Sequence, residues 1–134
     1  MFTGPKQSKY KKTRKGRLGR IELKSNKLKF GDIGLKTLES GFINARHIEA
    51  ARKAITRKMK RKGKIWIKMF PDIPITSKPS GVRMGKGKGN FSHWATRVKG
   101  GRVIFEIAGS NTANLLAAMK SGSAKLPLKT KVFL

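Results

Sequence analysis

The 134-residue sequence contains no cysteine and only six acidic residues. Without cysteine there is no disulfide, no thiolate zinc site and no cysteine nucleophile. The six carboxylates, Glu22, Asp32, Glu39, Glu49, Asp72 and Glu106, are scattered along the chain. Only Glu49 has a histidine near it in sequence, His47, and two residues apart on a helix the pair points about 200° apart. His47 reads as a first-turn surface residue and His93 as a strand residue near phosphate. Side-chain acid–base catalysis and metal binding are therefore poorly supplied, and no enzyme, cofactor or metal is expected. No run is long and apolar enough to span a bilayer. The N-terminus, MFTGPKQSKYKKTRKGRLGR, lacks the apolar core of a secretory signal. It is acid-poor as transit peptides are, but its lysines and turn formers fit a polyanion-binding tail better.

What the chain has in excess is positive charge. Thirty-three Lys plus Arg give a formal net charge of +27 and a pI near 11.6. Like charge at this density repels itself and weakens the compact state unless a polyanion neutralises it. Nucleic acid fits best, because each neutralised phosphate also releases condensed counterions. Lys outnumbers Arg 23 to 10, which suits an organelle or a small bacterium with an AT-rich genome. Apolar residues make up 37% of the chain, enough for one modest core.

The pattern divides the chain at residue 29. Residues 1–29 form a basic RNA-binding extension with Glu22 as its one acid. Its candidate RNA-binding residues are Lys6, Lys9, Lys11, Lys12, Arg14, Lys15, Arg17 and Arg20, and Lys24, Lys27 and Lys29 continue the run; Phe2 and Tyr10 are available to stack. Such a block is expected to be irregular alone and to order on a polyanion. Residues 30–134 read as a single α+β domain, with two helices packed on one face of a mixed, mostly antiparallel sheet.

Within that domain FGDIGLKTLESGFI is strand material, broken by glycines. Asn44 is a candidate N-cap for a helix to about Lys62. Its apolar face is Ala45, Ile48, Ala51, Ile55 and Met59, at spacings of three and four. The opposite face gathers Arg46, Lys53, Arg57, Lys60 and Arg61; Glu49 is its one acid, so intrahelical ion pairs do not account for it. KIWIKMF alternates as a strand. PDIPITSKP allows at most a short edge strand. FSHWATRV and RVIFEIAG flank Lys99-Gly100-Gly101-Arg102, a hairpin signal. Ser110 or Asn111 caps a second, shorter helix through Met119 that ends near Gly122, and PLKTKVFL is a closing strand.

The stretch GVRMGKGKGN, residues 81–90, invites comparison with nucleotide-binding loops and fails it. A P-loop needs Gly five residues before Gly-Lys and Ser or Thr after the Lys. Here Ser80 and Val82 stand in the first place, and Gly follows each Lys. The dinucleotide pattern needs Gly where Asn90 stands. The two GXXG matches, at 16–19 and 31–34, do not join helices as a KH loop must. What remains is a backbone made bare so that it can approach phosphates or bases, with charge from Arg83, Lys86 and Lys88. A nucleotide-binding enzyme and a generic polycation are the alternative readings.

Several stretches, in order along nearly the whole chain, resemble the bacterial-type large-subunit ribosomal protein sixteen family. They are PKQSKYKKTRKGR, FGDIGLK, ARHIEAARKAITRKMKRKGKIWIKMFPDIPITSKP, VRMGKGKGN, FEIAG and AKLPLKT. The resemblance implies an α+β structural protein of the large ribosomal subunit, bound to large-subunit rRNA beside neighbouring ribosomal proteins. It implies no membrane insertion and no homo-oligomer. It also implies that the loop, with Arg83, Met84, Gly85, Lys86, Gly87 and Lys88, lies near the peptidyl-transferase centre and transiently meets tRNA. Arg83 matches an arginine hydroxylated in some bacterial members. The segments GRLGRIELKSNKLK and TANLLAAMKSGS depart from the family pattern. HWATRV…RVIFEIAG looks more like mitochondrially encoded relatives, so a mitochondrial ribosome is expected, with bacterial cytoplasm or plastid as alternatives.

Overall fold

The computed structural model describes residues 4–109 and 111–134. Phe2 and Ser110, named above for stacking and capping, lie outside the described residues. From residue 4 to residue 32 the chain runs without helix or strand. The elements that follow are β1 (Ile33–Thr37), β2 (Gly41–Asn44), α1 (Ala45–Lys58), β3 (Lys64–Ile67), β4 (Ile73–Ser77), β5 (Asn90–Val98), β6 (Val103–Ala108), α2 (Thr112–Ser123) and β7 (Thr130–Phe133). The class is α+β, as expected, and the strands divide between two sheets. One has the order β3-β6-β1-β7 and the other β2-β5-β4, with every pair antiparallel.

The division corrects the hairpin expected at Gly100-Gly101. Strand β5 belongs to the three-stranded sheet and β6 to the four-stranded one, so the turn carries the chain between sheets. It is held against the corner where β1 passes to β2. Gly101 N donates to Thr37 O at 2.6 Å, Gly100 N to Ser40 Oγ at 2.9 Å, and Thr37 Oγ1 to Lys99 O at 2.9 Å. A side chain at Gly100 would place its Cβ 2.8 Å from the carbonyl oxygen of Leu38. Two crossings in opposite directions thus meet backbone to backbone, and a pair of glycines makes that approach possible.

The apolar face of α1 forms as its spacing predicts: Ile48, Ala51 and Ile55 are buried, with Met59 at the C-cap. These residues meet β1 and β6 residues Ile33, Leu35, Phe105 and Ile107, and Leu115, Ala118 and Met119 of α2, in one cluster. The helix is shorter than expected. It stops at Lys58, and Lys60 and Arg61 take left-handed φ values of 53° and 61°. Their N–H groups return to Arg57 O and Thr56 O, satisfying carbonyls that the helix end would leave open. The reversal lets β3 start at Lys64, opposite Ala108 of β6.

Asn44 occupies the N-cap place of α1 but makes no capping bond; its oxygen goes to His93 instead. At α2 the expected cap forms, with Asn111 Oδ1 accepting from Asn114 N at 3.1 Å. The helix then runs to Ser123, through Gly122, where a Cβ would lie 2.5 Å from Ile55 Cγ1. Glycine there lets the two helices touch.

Candidate nucleic-acid interface

Strands β4 and β5 pair from Ile73↔Ala95 to Ser77↔Asn90, so the glycine-rich stretch is the protruding end of a β-hairpin. Pro74 is tolerated because β4 is an edge strand. At the neck, a Cβ on Gly89 would sit 2.5 Å from Ser77 O, so only glycine lets the two strands close there. Beyond the neck, Gly81, Gly85 and Gly87 take φ of 82°, 99° and 81°, and Lys86 itself takes 52°. A non-glycine residue in that region is strained by about 1–3 kcal/mol. Arg83, Lys86 and Lys88 are exposed, and Met84 at the tip is 95% exposed. The loop joins two strands, whereas nucleotide-binding glycine loops open onto a helix N-terminus. This geometry gives the nucleotide reading no support.

The N-terminal extension does not stand off from the domain. Lys12 Nζ donates to Lys88 O at 3.1 Å, and Lys88 Nζ donates to Thr13 O. Farther along, Glu22 N bonds Gly100 O at 2.9 Å, and Ser25 O accepts from Val103 N at 2.8 Å. Residues 29–31 then wrap over Glu106, whose side chain is fully buried. Its Oε2 accepts N–H bonds from Lys29, Phe30 and Gly31 at 3.2, 2.7 and 3.1 Å, and Oε1 faces Lys68 Nζ at 3.3 Å. Burial pushes this carboxyl up, but the three main-chain donors and Lys68 outweigh it, and its pKa is lowered. One of the few acids therefore fastens the basic extension to the core.

The cations expected to bind RNA separate into groups. Lys6, Lys9, Lys11, Lys12, Arg14, Lys15, Arg17 and Arg20 are all exposed on the extension, and residues 12–13 join the glycine loop. Arg46, Lys53 and Arg57 are exposed along one face of α1. Glu49 neutralises part of this face: it chelates Arg52 at 2.8 and 2.9 Å and reaches Lys53 at 3.9 Å. The bond to Arg52 lowers its pKa. Lys60 and Arg61 lie past the helix end. Lys60 lines a groove of about 550 Å³ between α1 and α2, with Arg57, Lys58, Lys62 and Lys125. Lys58, Lys62 and Lys125 line this groove without having been expected from the sequence as RNA contacts. The first two sit in the legible run KMKRKGK, but Lys125 reaches the groove only because α1 and α2 pack together.

Neither histidine joins a carboxylate. His93 Nε2 is 3.1 Å from Asn44 Oδ1, and its Nδ1 is 3.1 Å from Ser92 Oγ. His47 is half-buried in the first turn of α1, with Nδ1 unpartnered. Among the described residues no group of three or more His, Cys, Asp or Glu could hold a metal, and no helix is long and apolar enough to cross a membrane.

The family described as Ribosomal protein L16p/L10e matches residues 5–133. The large ribosomal subunit protein uL16 of Sinorhizobium fredii is 52% identical over 127 residues, covering 95% of this chain and 93% of that one. Those of Allorhizobium ampelinum and Gluconobacter oxydans are 53% and 52% identical over the same length, with 93% and 92% of their own chains covered.

Proposed function

The chain belongs to the ribosomal protein L16p/L10e family, and from that premise we propose that it is a structural, non-catalytic constituent of the large ribosomal subunit that clamps large-subunit rRNA and supports the tRNA-binding cleft near the peptidyl-transferase centre. The extension and the exposed face of α1 hold rRNA phosphates. The 81–90 loop approaches RNA with a bare backbone and meets tRNA in passing, while the chemistry of peptide transfer stays with the RNA.

The observation that carries this reading is the meeting of Lys12 and Lys88. Each ammonium is held by a backbone carbonyl of the other segment, and neither takes part in a described ion pair. Two cation-rich segments brought together without a carboxylate repel one another, and RNA phosphate relieves that repulsion. The same contact makes extension and loop one surface.

The test is sedimentation. At physiological salt the chain travels with the large subunit in a sucrose gradient, and Lys86 or Lys88 crosslinks to RNA in intact ribosomes. Migration with the small subunit, or at the top of the gradient, overturns the reading.

The ribosome in question is proposed to be mitochondrial. The relatives named above are bacterial; the Lys bias and the HWATRV…RVIFEIAG stretch support the organelle. Fractionation of the source cells, with the chain followed by mass spectrometry, separates mitochondrial from cytoplasmic ribosomes.

A further inference from the structure

Strand β5 begins with Phe91 exposed and Trp94 half-buried beside it, Gly4 of the extension lying against the Trp94 ring. The ring centroids of Phe91 and Trp94 lie 5.0 Å apart, tilted by 54°, and Phe91 is 39% exposed. The pair forms part of the wall of two clefts. One, of about 390 Å³, is completed by Asn44, Arg46, Ser92 and His93. The other, of about 800 Å³, is completed by the extension, including Lys6, Lys9 and Lys11. Cations therefore flank both sides of an aromatic partition, and neither cleft is lined by a carboxylate.

The smaller cleft also presents oriented polar groups. Asn44 Oδ1 can only accept, so in the neutral imidazole Nε2 of His93 carries the proton. Nδ1 is then an acceptor, and the Ser92 hydroxyl donates to it. This relay leaves the Asn44 amide N–H₂ as donor and the Ser92 oxygen as acceptor for an incoming group. A flat ring, a donor and an acceptor beside an arginine fit a nucleobase and its phosphate; the cleft is at the small end of the range for ligand pockets, about 300–1,000 Å³.

Resting on the RNA-binding reading above, we propose that the exposed ring of Phe91, backed by Trp94, forms a stacking platform for an unpaired RNA strand. One base enters the cleft beside Arg46 and meets Asn44 and Ser92, and the adjoining backbone passes over Lys6 and Lys9. A duplex does not fit this role, because its base faces are already stacked. Sequence preference is weak, since every base offers a face to stack.

The full chain carrying Trp66→Phe keeps a ring beside Phe30 and leaves Trp94 as the single tryptophan reporter. Titration with a short oligouridylate is expected to quench Trp94 emission, and an RNA duplex of equal length to leave it nearly unchanged. Adding Phe91→Leu, which keeps apolar bulk but removes the ring, weakens oligouridylate binding about tenfold; Phe91→Tyr restores it. Equal affinity of the leucine variant, or equal quenching by duplex, overturns the platform. If oligouridylate leaves Trp94 unquenched while folded large-subunit rRNA still binds, the platform is wrong and the ribosomal reading stands. If the unsubstituted chain binds neither RNA, both are wrong.

Discussion

The backbone N–H of Phe30 lies 2.7 Å from Oε2 of Glu106, the shortest of three main-chain donors that converge on that one buried oxygen. The contact joins the end of the basic extension to the central strands of the four-stranded sheet. A fold carrying +27 charges retains this acid in its interior because the carboxylate neutralises Lys68 and satisfies three amides at once.

Replacing that carboxylate tests the anchor. Glu106→Gln removes the charge and substitutes a donor for one acceptor oxygen, at a cost of about 1.5–3 kcal/mol, the range for hydrogen bonds to charged groups. Urea unfolding should show a lower midpoint with little change in slope. Amide exchange at residues 29–31 should accelerate more than exchange at the centre of α1.

The same group sets a pH dependence. Its folded pKa is lowered, so the stability it contributes is full above the unfolded carboxylate pKa and is lost as pH falls through the folded value. The loss belongs below the ordinary carboxylate range. Titrating unfolding midpoints downward from neutrality should show an acid limb in the parent chain that is diminished in Glu106→Gln. An identical limb in both would remove Glu106 from this role.

At the helix contact, Gly122→Ala drives a methyl against Ile55, with Cβ 2.5 Å from Cγ1 before any adjustment. Alanine is the better helix former by about 1 kcal/mol, yet overpacking costs about 1–3 kcal/mol, and at this distance the clash wins. Thermal unfolding of this variant should fall below that of the parent. A second substitution, Ile55→Val, removes the Cδ1 that stands 2.7 Å from the new methyl but keeps Cγ1, and should recover only a small part of the loss.

The hairpin neck gives a different test. Gly89→Ala places Cβ against Ser77 O and should open the neck, whereas alanine at Gly87 meets no atom and is opposed only by its φ of 81°. Gly89→Ala is therefore expected to reduce protection of the β4 and β5 amides, and Gly87→Ala to leave the strands intact. Hydrogen exchange by mass spectrometry distinguishes them.

Lys86→Ala should lower the slope of log affinity for large-subunit rRNA against log salt by about one, the signature of a lost phosphate contact. Lys88→Ala should do the same and also release the Thr13 carbonyl that its ammonium holds, while the main-chain oxygen that accepts from Lys12 stays in place. An unchanged slope in both variants would take the loop out of the RNA interface.

Much of this protein is legible in its sequence alone. Spacings of three and four at Ile48, Ala51 and Ile55 already gave the buried stripe of α1, because helical period alone assigns a face. Asn111 as a cap and the prolines around β4 as marks of an edge strand rest on similarly local chemistry. The glycine loop's failure as a nucleotide site was also a matter of spacing. Other features were hidden because they depend on distant partners. Asn44 had the right identity and place for a cap, but its oxygen serves His93, 49 residues away in sequence. Gly100-Gly101 looked like a hairpin turn, yet both glycines are committed to the corner at 37–40. Glu106 read as one scattered acid among six.

By itself, the sequence determined the polycationic character, the mismatch of the glycine loop to nucleotide-binding spacings, the α+β class and the basic loop itself. Each follows from composition or from patterns a few residues long. Only the tertiary structure decided that the strands form two sheets, that Lys125 shares a groove with Arg57 and Lys60, and that Lys12 meets Lys88. Those depend on which long-range contacts bury the most apolar surface while leaving no amide unpaired. Such a choice is made by the whole chain at once, and no window of sequence contains it.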